Sequence, residues 1–340
     1  MSHCFSSTKE LSRLPYFSLD KDGEIHLKEG ILNHKVIDFH THLGWNFTLG
    51  KKIDLWKKMK INYSYPGEGK IDLNRHGALD FGKTLNNKEK EIFKGVINLK
   101  QYSFTYTIPN IFDEMNRLQV ERSVILAVKI PLMANNTDNV LNSIKENPEA
   151  VKRLKVFASL NPRSLNKKGR LADWVGRGAC GIKLHPLFNF FKPNSKSVYK
   201  IYELAQEFNL PIIFHTGLSP AAPEYLRRFV KIDDYLCAVR DFPKVRFILG
   251  HGGGYSDWTE AIEIAKKYEN VYLETSGQPP KVISEFVKKI DINKILYGSD
   301  WPFYPMAISI AKTLLATESD KQVRKKIFYS NAQNFFQRKK

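Results

Sequence analysis

Residues 211–217 read PIIFHTG: three apolar positions after a proline, then a histidine, then a turn. The run is too short for a helix and has no polar residue until its end. That fits a strand covered on both faces rather than one with a wet side. The same form recurs along the chain. KVIDFHTH (35–42), RSVILAV (122–128), LKVFASL (154–160) and CGIKLHP (180–186) precede it, and VRFILGH (245–251), NVYLET (270–275) and KILYGSD (294–300) follow, making eight. Amphipathic, charged stretches lie between them, at 108–120, 197–209, 221–242 and 257–270, with another closing the chain. Eight buried strands alternating with helices predict an α/β chain closed into a (β/α)₈ TIM barrel. An open doubly wound sheet is the other arrangement such alternation allows, but the Gly-rich phosphate turn it usually carries after its first strand is absent.

One connection breaks the rhythm. About sixty residues separate His42 from the helix starting near 108, far more than an ordinary βα loop needs. This gives residues 1–34 as an N-terminal appendage and 35–340 as the barrel, with 45–107 as an insertion. The insertion carries Trp45, Tyr63, Tyr65, Arg75, His76, Tyr102 and Tyr106. It leaves the C-terminal end of the first strand, where barrel active sites are built. It reads either as a cap over the site or as a structural or oligomer-forming element.

The net charge is +18, with 53 Lys and Arg against 35 Asp and Glu. The lysines are scattered and mixed with acids, and no basic block is interleaved with aromatics as a nucleic-acid platform requires. Steering of an anionic small-molecule substrate suits the charge better than nucleic-acid binding. Three widely spaced cysteines, Cys4, Cys180 and Cys237, form neither a disulfide framework nor a zinc knuckle, so a reducing, cytoplasmic setting is expected. No secretory h-region and no apolar run long enough for a membrane span is visible. G-x-S-x-G, P-loop and H-E-x-x-H motifs are absent.

The chemistry sits at the strand ends. His40 and His42 close the first strand, His185 the fourth, His215 the fifth, His251 the sixth and Asp300 the eighth. Side chains at i and i+2 of a strand share a face, so His40 and His42 aim at one point, and Asp38 has the same parity. Any one strand-end histidine is ordinarily a packing or turn residue. Five such histidines and an aspartate brought to one barrel mouth are not explained by packing. Imidazole and carboxylate donors suit Zn2+, and also manganese or iron. His40, His42, His215 and Asp300 make the three or four ligands that a catalytic site takes, and His251 is placed as a general acid or base. The glycines of GHGGGY (250–255) let the backbone approach the site closely after His251.

Together the H-x-H pair, GIKLHP, PIIFHTG, LGHGGG, GSDWP and the closing NAQNFF resemble the amidohydrolase superfamily, and most of all its amidohydrolase-related branch of metal-dependent hydrolases, lactonases and aromatic-acid decarboxylases. The resemblance covers roughly residues 35–50 and 108–337 and implies a distorted TIM barrel with its metal at the C-terminal mouth. It puts His40, His42, His215 and Asp300 at the metal positions. His251 falls on a histidine that is acid/base in mononuclear members and ligates a second metal in binuclear ones. Some binuclear relatives carry a carboxylated lysine at the end of strand four. Here Lys183 and His185 share parity there, and the GIKLHP form resembles the mononuclear branch. One metal is therefore expected, with His185 and Lys183 lining the substrate pocket, or with Lys183 simply paired to a neighbouring carboxylate. Glu274, ending the seventh strand, is placed to orient a ligand imidazole. The function implied is hydrolysis of an ester, lactone or amide-type bond, with Asp300 handling the proton of the attacking water and His251 protonating the leaving group. Decarboxylation of an unsaturated or aromatic acid on the same scaffold is the alternative, with Arg75 or Trp45 gripping the acid. Dimers are frequent in such families, so a homodimer is expected.

Overall fold

The computed structural model describes residues 3–44, 53–63, 71–78, 102–130, 134–218 and 224–337. Trp45 and the greater part of 45–107 lie outside them. Eight strands form one all-parallel sheet in chain order: β1 (Val36–Thr41), β2 (Val120–Leu126), β3 (Leu154–Ser159), β4 (Ala179–Leu184), β5 (Ile212–His215), β6 (Phe247–Gly250), β7 (Val271–Glu274) and β8 (Ile295–Leu296). The last strand returns to the first. Phe39 N–H donates to Tyr297 O at 2.8 Å, Asp300 N–H to His40 O at 2.8 Å and His42 N–H to Trp301 O at 2.7 Å. These bonds, with a parallel bridge between Thr41 and Trp301, close the barrel.

Helices cover the outside, between successive strands, as the crossover from one parallel strand to the next requires. The stretch predicted as a helix over 221–242 is instead a short 3₁₀ turn, Glu224–Phe229, and a helix, Asp233–Asp241. Asp233 and Asp234 stand in its first turn, where their charge complements the exposed N–H groups.

Inside the barrel, Ile37, Phe39, Val124, Leu126, Phe157, Ile213, Ile248, Tyr272 and Leu296 form a closed apolar cluster. The C-terminal helix Asn331–Gln337 adds Ala332 and Phe335 to it, plugging the barrel. Above this layer the same strands turn polar, and there the site begins. The N-terminal residues are not loose: a hairpin pairs Phe17–Leu19 with Ile25–Leu27, and Leu11 and Phe17 are fully buried in the main core. Cys4–Phe5 pairs antiparallel with Ile71–Asp72, so the N-terminal segment and the insertion share a two-stranded ribbon.

Candidate metal centre

β1 is not a regular strand where its histidines emerge. From Asp38 to Thr41 it advances three residues while β2 advances two, Ser123 to Ile125. This bulge breaks the strict alternation of faces, as bulges near active sites do. Phe39 stays in the apolar interior while its neighbour His40 still reaches across the barrel to β7. Asp38, expected on the histidines' face, is turned to the backbone: its Oδ1 accepts the N–H groups of His40 (3.0 Å) and Ser299 (3.0 Å). Burial pushes its carboxyl up to about 8.

His40 is fully buried, and its Nδ1 lies 2.7 Å from Glu274 Oε2. His42 Nδ1 lies 2.8 Å from the Leu126 carbonyl oxygen. A carbonyl only accepts, so His42 Nδ1 carries a proton there, and the Glu274 carboxylate accepts one from His40 Nδ1 in the same way, which turns both Nε2 atoms away from these partners. Both Nε2 atoms then face Asp300 Oδ1, at 3.5 Å from His40 and 3.4 Å from His42. The three atoms converge, and His40 Nε2 is buried without a hydrogen-bond partner. That arrangement fits a cation. Ligands ~2.0–2.1 Å from a tetrahedral zinc stand roughly 3.3 Å apart. Burial, then the Lys183 charge and the His42 ring, hold His40 well below its ordinary range, so it is neutral, the form that binds metal.

The remaining rings continue the cluster. His251 packs 4.6 Å from His40, His215 4.6 Å from His251 and His185 4.1 Å from His215, centroid to centroid. His251 Nε2 is 3.0 Å from His215 Nδ1, and its Nδ1 is 2.8 Å from Ser276 Oγ. His185 accepts from Phe188 N–H and stacks flat on the Phe188 ring at 3.8 Å. The structure therefore brings His40, His42 and Asp300 within mutual ligand distance, and His215 beside them through His251. Burial foremost holds His185, His215 and His251 well below the usual imidazole range.

Glu274 is the hub, and strand-end position alone underrated it. Fully buried, it accepts from His40 Nδ1–H, from His251 N–H (3.1 Å) and from both the N–H and hydroxyl of Ser276. Burial pushes its carboxyl up to about 7. Ser276 was missed by sequence reasoning, although it follows β7 in the same polar turn, LETSG. Gly298 explains the tight approach: a Cβ there would sit 2.0 Å from Glu274 Oε1 and 2.8 Å from His40 Cβ. Lys183 is 1% exposed, and its Nζ has no hydrogen-bond partner. Burial draws it down to about 8, against the pull of the Asp300 and Glu274 carboxylates. His251 and Asp300 both hold left-handed backbone, φ +62° and +63°. That conformation is unfavourable for side-chain-bearing residues and collects at functional sites.

Arg75 is placed differently from its neighbour. Its guanidinium Nε is 3.2 Å from Asp72 Oδ2 at the surface, whereas His76 lies against Gly277 and Tyr255, near enough to His251 to disfavour its charge. Buried Lys312 pins this strap by donating to Arg75 O (2.9 Å) and Gly277 O (3.1 Å). Burial draws Lys312 from 10.5 down to about 7. Above pH ~7 the folded protein sheds this proton while the unfolded chain keeps it to ~10.5, so the Lys312 contribution to stability rises with pH in that window. Lys312→Met removes the titration. Urea unfolding at pH 7 and pH 9 should show the wild type gaining on the variant; a constant gap would disprove this.

Comparison with models of known families matches residues 117–338 to the one described as Amidohydrolase. The chain belongs to the amidohydrolase family. The matched span starts after β1, yet β1 supplies His40 and His42 and closes the barrel of this amidohydrolase. No curated protein matches the sequence. Solved structures do. An uncharacterized TIM-barrel protein from Bordetella bronchiseptica is 17% identical with a TM-score of 0.62, over 89% of this chain and 99% of that one. 5-Carboxyvanillate decarboxylase from Sphingomonas paucimobilis is 12% identical, TM-score 0.61, over 89% and 99%. A probable 2-pyrone-4,6-dicarboxylic acid hydrolase from Acinetobacter baumannii, with citric acid bound, is 16% identical, TM-score 0.56, over 89% and 100%. Such identities show a shared fold. No helix among the described residues is long and apolar enough to cross a membrane.

Proposed function

We propose that this amidohydrolase-family enzyme is a metal-dependent hydrolase of a small anionic substrate with an ester, lactone or amide-type bond. The observation that carries the reading is the convergence of His40 Nε2 and His42 Nε2 on Asp300 Oδ1, with His40 Nε2 buried and lacking a hydrogen-bond partner. These three and His215 would hold one divalent ion, zinc first, with manganese or iron suited to the same donors. When bound, such an ion polarises a substrate oxygen and makes water a nucleophile at neutral pH.

The chain's own residues do the rest. Glu274 orients His40 through its Nδ1–H, which keeps Nε2 free for coordination. Asp300 takes the proton of the attacking water. His251, steadied by Ser276, passes the proton that Asp300 has taken on to the leaving group. The Lys183 ammonium and the His185 ring receive the anionic part of the substrate. Three free cysteines agree with a cytoplasmic place of action.

A second reading is decarboxylation. The parallel stack of Phe188, His185 and His215 makes a flat wall that suits a planar, unsaturated acid, with Lys183 for its carboxylate and His251 as proton donor to carbon. One experiment covers both. The purified protein is stripped with a chelator, reloaded with zinc or manganese, and offered small lactone, ester and amide acids beside hydroxybenzoates. Hydrolysis that vanishes on stripping and returns on reloading supports the first reading. Carbon dioxide release with the same metal dependence supports the second. Full activity of the metal-free protein overturns both.

A further inference from the structure

Glu114 stands on the helix Ile108–Arg117 and takes no part in the histidine cluster. It is 2% exposed, and it gathers donors from three separate segments. The Tyr63 hydroxyl donates to Oε2 at 2.7 Å, the Trp301 indole Nε1–H to the same oxygen at 2.7 Å, and the Met306 N–H to Oε1 at 2.6 Å. Burial raises its carboxyl, and these donors with Arg117 draw it back. Burying a carboxylate carries a desolvation penalty that core packing alone does not demand.

Two of the donors bracket one loop. Trp301 follows Asp300 directly, and Met306 opens the helix Met306–Ala316, so a single carboxylate ties both ends of the segment leaving β8. Asp300 depends on that segment. It sits at φ +63°, which must be held from both sides. Upstream, its N–H is fixed by His40 O at 2.8 Å. Downstream, the hold is Trp301, whose carbonyl accepts from His42 N–H at 2.7 Å and whose indole is anchored by Glu114. Trp301 therefore joins the two histidines' strand, the Asp300 peptide and Glu114 in one bonded unit.

We propose that Glu114 is a positioning residue of the metal centre: through Trp301 and Met306 it fixes the backbone that aims the Asp300 carboxylate at His40 and His42. The inference rests on reading those three residues as ligands. Tyr63 comes from the described part of the insertion, so the same carboxylate ties the insertion to the site. The competing role is a core staple that stabilises the fold without touching the ligands.

The test is zinc affinity of the metal-free protein by chelator competition, with the visible absorption of the Co2+-loaded form and the thermal midpoint measured alongside. Glu114→Gln should weaken zinc binding at least about tenfold, since residues that orient ligands typically contribute roughly 10–100-fold. It should also alter the cobalt spectrum, and Tyr63→Phe should do both to a smaller degree. Trp174→Phe is the control: it loses a comparable indole bond, to Asp138 Oδ1 at 3.0 Å, on the helix between β3 and β4. It should lower the thermal midpoint and leave affinity and spectrum unchanged. A Glu114→Gln protein that melts earlier but binds zinc and cobalt like the wild type is a core staple, and the inference is overturned. Should that variant not fold, Trp301→Phe removes the anchored indole N–H and keeps an aromatic ring; unchanged affinity there overturns it equally. Failure of the wild type to bind zinc, manganese or cobalt at all overturns the ligand reading itself, which keeps the two failures apart.

Discussion

Asp300→Ala is expected to yield a folded protein that retains no ion and turns over no substrate. Asp300 Oδ1 is the point on which the Nε2 atoms of His40 and His42 converge, at 3.5 and 3.4 Å. Imidazole binds metal as a neutral ligand, so removing the carboxylate takes away the one negative ligand in a pocket that also holds the buried Lys183 amine. A cation left there would face Lys183 with less compensation. The ion's transition-state stabilisation is worth several kcal/mol, and each ~1.4 kcal/mol is tenfold, so turnover should fall by at least about 10³. Asp300→Asn keeps the shape and removes the charge, and should lie between alanine and wild type in ion retention. Metal stoichiometry measured by elemental analysis, beside turnover, checks both. A full complement of ion in the alanine variant would remove Asp300 from the ligand set. The fold should survive, because the closing contact at this position is the Asp300 backbone N–H to His40 O, which alanine preserves.

What the sequence made legible, it did through burial periodicity. Runs such as PIIFHTG are apolar up to their ends because both faces of a parallel strand are covered, and all eight such runs are strands in one barrel. His40, His42, His185, His215, His251, Glu274 and Asp300, which end six of these runs, lie at the mouth for the same reason. The i, i+2 reading of His40 and His42 reached the correct convergence by an incomplete route. The bulge between Asp38 and Thr41 shifts the face on which side chains emerge, which is why Asp38 serves backbone amides instead of joining the histidines. No residue pattern in VIDFHTHLG announces a bulge; it exists because β1 must meet β2 on one side and β8 on the other. Glu274 and Ser276 show a different limit. Their polar run was visible, but that one carboxylate would accept from His40, His251 and Ser276 is a matter of which strands adjoin. Arg75 and His76 show a third. One residue apart on a strap, they part ways because Gly77 bonds Gly277 and Lys312 holds the Arg75 carbonyl, contacts 200 and 237 residues apart in sequence.

The second large effect should appear at the other end of the barrel. Phe335, 2% exposed on the C-terminal helix, sits 5.1 Å from Phe39 and 5.0 Å from Tyr272, both edge-on, with the Arg246 guanidinium 4.5 Å over its face. Without it the interior cluster beneath the site opens where the helix enters. Phe335→Ala should destabilise the protein by roughly 3–5 kcal/mol, the transfer loss of the ring plus the cavity it leaves. Urea unfolding of the metal-free protein measures this. A loss under about 1 kcal/mol would mean that the neighbouring rings collapse into the space. Zinc affinity should stay at the wild-type value, since in these barrels stability concentrates at one face and chemistry at the other. The link between them is Phe39, which packs on Phe335 and precedes His40. The β1 bulge lies between that packing and the ligand atoms, and His40 is held independently by Glu274. A fall in zinc affinity that follows the loss of stability would show instead that the plug and the metal centre are one cooperative unit, communicating through β1.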